Sequence, residues 1–118
     1  MVWMHAAAVR FDLHIPESRS LKVKRAAVRP IVDGLRHRYH LSVAEIGHQD
    51  QWQRAELGVA LIAESDGHLR DVLDEVERFV ARAPDVEVLE VEVVHLDGEG
   101  TLDWEQEPDG ISKRGAET

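Results

Sequence analysis

The sequence contains no cysteine and no asparagine, and aromatic residues make up only 5% of its 118 positions. Without cysteine there is no disulfide framework, no thiolate zinc site and no cysteine nucleophile. Nor is there an apolar run approaching the roughly 18 residues of a membrane span, and Met1 to Arg10 lack the basic flank and apolar stretch of a signal peptide. A soluble cytoplasmic protein is expected. The length suits one domain, large enough to bury a core without a disulfide or a structural metal.

Basic residues are also scarce overall, 14 against 23 acids, for a formal charge of -9. Such a balance favours solubility and disfavours contact with nucleic acid or acidic membranes. The average conceals an asymmetry. Arg19, Lys22, Lys24, Arg25, Arg29, Arg36 and Arg38 are half of the basic residues, and between Arg19 and His40 they face one acid, Asp33.

From Val2 to Ile15 the apolar residues Trp3, Ala7, Val9, Phe11 and Leu13 hold odd positions while Arg10, Asp12 and His14 hold even ones, which predicts a half-buried strand. Pro16 stops it. Ser18 or Ser20 then caps a helix over residues 21–40, with Leu21, Val28, Val32, Leu35 and Tyr39 at helical spacing. Pro30 removes one hydrogen bond inside that helix and predicts a kink near Val28 to Ile31. Residues 42–47 and 55–63 read as a hairpin with its turn at Gln49 to Gln53, the second strand burying Ala55, Leu57, Val59, Leu61 and Ala63. Ser65 or Asp66 caps a second helix with the stripe Leu69, Val72, Leu73, Val76, Phe79 and Val80, ending before Pro84. A last strand, Val86 to Leu96, changes phase between Val88 and Leu89, so either strand pairing begins only there or a bulge intervenes.

Strand, helix, two strands, helix, strand is the split βαβ order. The expected fold is α+β and ferredoxin-like, a βαββαβ chain with a four-stranded antiparallel sheet carrying two helices on one face. Residues 1–97 form this domain. Residues 98–118, rich in glycine and acids, are expected to be a mobile tail, with Trp104 either packed on the domain or solvated.

Three stretches carry a family resemblance: His14 to Arg25 (HIPESRSLKVKR), Leu41 to Gln53 (LSVAEIGHQDQWQ) and Arg54 to Ala60 (RAELGVA). They resemble the YlxP-like family, a bacterial domain of unknown function, over nearly all of Val2 to Asp97. The resemblance implies the ferredoxin-like fold but lends no activity. Members are often encoded beside translation and ribosome-maturation factors, which implies ribosome-related RNA work.

Three candidate sites follow. On a helical wheel at 100° per residue, Lys22, Arg25, Arg29, Arg36 and His40 fall within an arc of about 60°. With Arg19 and Lys24 they form a basic face that could follow a phosphate backbone, releasing counterions and offering bidentate guanidinium contacts. Alternatively the row is a solvated helix face that offsets the acidic remainder. Free amides at the helix start could also hold an anion, as at any capped helix. Acylphosphatases share this strand order and bind phosphate at the first turn, but their glycine-rich loop and catalytic asparagine have no counterpart here.

The second candidate is the hairpin tip: His48, Gln49, Asp50, Gln51, Trp52, Gln53 and Arg54. Trp52 could stack on an unpaired base, with Gln53 and Arg54 supplying polar contacts; equally, it could fold back over the hairpin while Asp50 caps the turn. His48 and Asp50 alone do not define a catalytic or metal site, since zinc usually needs three or four protein ligands. The third is the uncovered sheet face, where Met4, Ala6 and Ala8 on the first strand and Gly58, Ala60 and Ile62 on the third give a smooth, mildly apolar surface. An RNA-recognition motif needs stacking aromatics there, so a homodimer or a protein partner suits it better.

The sequence therefore predicts a non-enzymatic accessory factor contacting structured RNA, ribosomal RNA or a ribosomal subunit, through the basic helix. No cofactor, metal, membrane or small-molecule substrate is expected. A homodimeric adaptor using the sheet face is the alternative.

Overall fold

The computed structural model describes residues 2–96, 98 and 99. Strand β1 (Val2–His14) leads to helix α1 (Leu21–Asp33), a π-helical turn (Gly34–Arg38), strands β2 (Ser42–Gly47) and β3 (Arg54–Ala63), helix α2 (Asp66–Ala81) and strand β4 (Glu87–His95). The strands form an antiparallel sheet in the order β2-β3-β1-β4. A two-residue strand β5 (Gly98–Glu99) pairs with Val2 and Met4, so the sheet runs slightly past the expected boundary at Asp97. The rest of the expected tail, including Trp104, lies outside the described residues. Among the described residues no helix is long and apolar enough to cross a membrane.

The odd residues of β1 and β3 face the helices. Phe11, opposite Leu57 and Val91, is fully buried, as are Leu13, Ile31, Leu35, Leu69, Val76 and Val80. Burial of this contiguous set is the main stabilising term, at roughly 25 cal/mol per Å² of apolar surface. The phase change expected in the last strand is a bulge: Asp12 pairs with Glu90 but Leu13 with Val88, leaving Leu89 as the extra residue.

Helix α1 departs from expectation in two ways. Its most buried positions are Lys24, Val28, Ile31 and Leu35, and Val32 is only partly buried. Its α-helical hydrogen bonding also continues through Pro30 to Asp33 and changes to π only at Gly34, beyond the predicted kink. The Tyr39 amide donates to Gly34 O and the Leu41 amide to Leu35 O, while His40 closes the turn at a left-handed φ of 57°. Packing explains the location. A Cβ at Gly34 would overlap the Phe79 ring, so the absence of a side chain lets α2 approach α1 there.

Replacing Gly34 by alanine sets overpacking, about 1–3 kcal/mol, against a helix-propensity gain of up to about 1 kcal/mol. Urea unfolding is expected to show net destabilisation in the native background. In a Phe79→Ala background the same change is expected to stabilise, because only the propensity gain is left. Absence of this sign reversal in the double-mutant cycle would refute the steric explanation.

Helix α2 is capped by Ser65, whose hydroxyl accepts from the His68 amide at 3.1 Å. His68 Nδ1 lies 2.8 Å from Glu64 Oε1. This hydrogen bond is the main cause that raises the imidazole above its usual 6.5 and lowers the carboxyl below its usual 4.5. The histidine's contribution to stability is present below 6.5 and lost as pH rises through its raised value; the carboxylate's is present above 4.5 and lost as pH falls through its lowered one.

Candidate functional site

Helix α1 starts where Ser20, in extended backbone, accepts from the Val23 amide at 3.1 Å. Ser20 is therefore the cap. Ser18 is fully buried and donates to Ser20 O at 2.9 Å. Beyond this start Arg19, Lys22, Arg25 and Arg29 are exposed, and among the described residues none of them makes an ion pair or a side-chain hydrogen bond. Arg36 is exposed too, but its Nη2 donates to Val43 O at 2.9 Å. It occupies a carbonyl of the edge strand β2, a position that otherwise invites another chain to pair. Arg25, Arg29 and Arg36 line a shallow groove of about 210 Å³ between α1 and β2, together with Val28, Val32, Asp33 and Glu45.

Lys24 departs from the expected basic face. It is 2% exposed, and its ammonium lies under the β2–β3 hairpin, 3.2 Å from Glu45 Oε2, donating to the carbonyls of His48 (2.9 Å), Gln49 (3.2 Å) and Arg54 (3.2 Å). It braces the hairpin from inside and is not available to a phosphate backbone.

Much of the hairpin tip is likewise engaged internally. Gln53 Nε2 donates to Pro16 O and Ser18 O, and Gln49 Nε2 donates to Glu45 O. Arg54 Nη2 donates to both oxygens of Asp12 at 2.8 Å. His48, at a left-handed φ of 59°, brings Nε2 to 3.9 Å from Asp12 Oδ1, so the carboxylate recorded beside it is on β1 and already paired with Arg54. Asp50 and Gln51 are exposed, and Trp52 is 55% exposed. With His14, Gln53, Arg54 and Leu89, Trp52 rims a shallow depression.

The uncovered sheet face has two halves. Ala8, Ser42, Ala44, Ile46, Gly58, Ala60 and Val94 line an apolar depression of about 500 Å³. Ile62 beside it is 72% exposed and Met4 is partly buried. Ala6, expected to be presented on this face, is only 9% exposed; it pairs with Ile62, and its carbonyl accepts from the Leu96 amide at 2.8 Å.

The other half is ionic, and sequence reasoning missed it. Arg10 on β1 meets Glu56 of β3 at 2.8 Å and Glu90 and Glu92 of β4 at 2.7 and 3.0 Å. The Asp12–Arg54 pair and a His14–Glu87 contact at 3.0 Å continue the band. Hydrogen bonds to Glu90, Glu92 and Glu56, in that order of effect, raise the Arg10 guanidinium above its ordinary value and keep it charged. Replacing Arg10 by methionine leaves three facing carboxylates without their shared cation. The urea midpoint is expected to fall at neutral pH, with the deficit shrinking on acidification and in added salt as the repulsion is neutralised or screened. A deficit independent of both would attribute the loss to packing instead.

Among the described residues the cations on the outside of α1 thus have no ion-pair partner, whereas Arg10 and Arg54 on the sheet face are neutralised. The arrangement is a ferredoxin-like α+β domain with a basic helix face and an acidic, partly apolar sheet face. The chain belongs to the family described as a protein of unknown function (DUF503), whose model matches residues 6–93. It is 34% identical over 73 residues to the uncharacterized protein YlxP of Bacillus subtilis (strain 168), covering 62% of this chain and 79% of that protein. Among solved structures, the de novo designed protein Foldit4 aligns with a TM-score of 0.50 at 14% identity, over 81% of this chain and 99% of that one. A putative antibiotic biosynthesis monooxygenase from Bacillus cereus aligns at 0.42 and 15% identity, over 85% of this chain and 97% of that one.

Proposed function

We propose that this chain is a non-enzymatic accessory factor that contacts structured RNA, such as ribosomal RNA in a subunit, through helix α1. The observation that supports this is that, among the described residues, Arg19, Lys22, Arg25 and Arg29 have no ion-pair partner, in a chain where acids outnumber bases 23 to 14. Carboxylates are available to pair with them, yet the ion pairs of Arg10, Arg54 and Lys24 lie on the sheet face and beneath the hairpin. A polyanion approaching the exposed face of α1 meets guanidinium and ammonium groups without an ion-pair partner among the described residues and releases counterions on binding. Approaching the sheet side, it meets five carboxylates of the ionic band against two arginines.

The test is sedimentation of the full chain with ribosomal subunits at low and high salt. Retention at low salt that is lost at high salt supports the proposal, and absence of retention at low salt overturns it. The apolar depression on the sheet and the exposure of Ile62 favour a second role, a homodimeric adaptor. Sedimentation of the protein alone discriminates: that role requires a stable dimer without RNA affinity.

A further inference from the structure

A cleft of about 380 Å³ opens between the two helices at the π-helical turn and the C-terminal end of α2. Its volume falls in the range of small-ligand sites, roughly 300–1,000 Å³. Tyr39 and Phe79 line it as an edge-to-face pair, their ring centroids 5.6 Å apart and their planes at 66°. Arg38, Arg78 and Arg82 line it as well, against one acid, Glu75. Among the described residues none of the three arginines has an ion-pair partner.

We infer that this cleft takes one nucleotide unit, its base against the Phe79 ring and its phosphate on Arg78 and Arg82. Three guanidiniums without an ion-pair partner among the described residues, beside one carboxylate, disfavour a neutral apolar ligand and favour an anion. The aromatic floor favours an anion attached to a flat ring over inorganic phosphate alone. Arg38 supplies the second face of the stack: its guanidinium carbon stands 5.4 Å from the Tyr39 centroid and 6.0 Å from that of Phe79. A base held between guanidinium and ring needs two contacts of roughly 3.5 Å each, so Arg38 has to move outward to admit it. Such pairing of an aromatic ring with an arginine plane is a common way of holding an unstacked base. Glu75 at the rim can accept from a ribose hydroxyl or an exocyclic amine.

The nucleotide can be free or an unpaired residue of the RNA proposed to lie along α1. Only the second source rests on that proposal. The test is amide-resolved NMR titration of the full chain with adenosine monophosphate, adenosine, inorganic phosphate and a short single-stranded adenylate oligomer. Adenosine monophosphate is expected to shift the amides of Arg38, Tyr39, Phe79 and Arg82 while leaving those of Lys22 and Arg25 in place. Adenosine and phosphate separately should bind about tenfold more weakly. The surface pair Arg78→Gln/Arg82→Gln, which leaves the core intact, should weaken the nucleotide by a similar factor, as should Phe79→Leu in a protein whose spectrum remains folded.

No shift at these amides, or phosphate alone binding as well as the nucleotide, overturns the inference. An oligomer that binds more tightly than the monophosphate, and loses that advantage in Arg25→Glu/Arg29→Glu, identifies RNA as the source. Equal binding of the two identifies a free nucleotide. If ribosomal subunits do not retain the protein while the monophosphate fills the cleft, the RNA proposal fails and the cleft assignment stands.

Discussion

Replacement of Lys24 by methionine is expected to cost about 3–5 kcal/mol, the penalty of removing one partner from a buried ionic cluster. Methionine keeps most of the volume, so the loss comes from polar groups and not from a cavity. Three carbonyls, those of His48, Gln49 and Arg54, lose a donor, and Glu45 loses its countercharge. Glu45 can recover in part because its side chain is 33% exposed and water reaches it. His48 O keeps the Gln51 amide as a donor at 3.0 Å, so the loss falls on the carbonyls of Gln49 and Arg54, and a carbonyl left unsatisfied costs about 1–3 kcal/mol.

Arginine should not rescue the site, since its larger planar fork cannot replace a compact tetrahedral ammonium at the point where the carbonyls converge. Arg25→Met, one residue away but exposed and unpaired, should stay within about 0.5 kcal/mol of the parent. Urea unfolding measures both, and hydrogen exchange adds location. Loss of protection should begin at the hairpin turn, where the Gln51 amide donates to His48 O at 3.0 Å. Equal urea midpoints for Lys24→Met and Arg25→Met would mean that the clamp does not stabilise the hairpin.

Lys24 also shows what was legible in the sequence. It stands four residues before Val28 and seven before Ile31, the spacing of a buried stripe, and its charge obscured that position. Strand alternation was legible because burial on one face imposes a period of two: odd residues of β1 and β3 face the helices, and the phase slip at Leu89 is the observed bulge. The ionic band was not legible. Arg10, Glu56, Glu90 and Glu92 each looked like the polar half of an alternating strand, and only the pairings Arg10↔Glu92 and Arg10↔Gly58 bring them together. The π turn escaped for a similar reason, since a contact between Gly34 and a ring 45 positions later leaves no local signal. The nucleotide cleft combines Arg38 and Tyr39 with residues of a second helix, and no single stretch of sequence contains it.

The exposed arginines make the second large prediction, which turns on salt as much as on affinity. For each phosphate neutralised, log affinity falls with log salt by about 0.7 on single strands and about 0.9 on duplex DNA. If Arg25 and Arg29 each contact one phosphate of a structured RNA, the Arg25→Glu/Arg29→Glu variant loses about 1.4–1.8 from the magnitude of that slope. Its affinity for ribosomal subunits at low salt should fall by more than tenfold. A Trp52→Ala variant removes at most a base stack, worth about 1–3 kcal/mol, and leaves the slope unchanged. The size of the loss alone does not separate the two contributions, because one good stack and two phosphate contacts can cost similar amounts. The slope does separate them, since stacking releases no counterions. A parallel salt titration of parent, double variant and Trp52→Ala should give one shallower line and one displaced parallel line. Two parallel lines would place the phosphate contacts away from Arg25 and Arg29, leaving the arginines of the interhelical cleft and the hairpin tip as the remaining candidate surfaces.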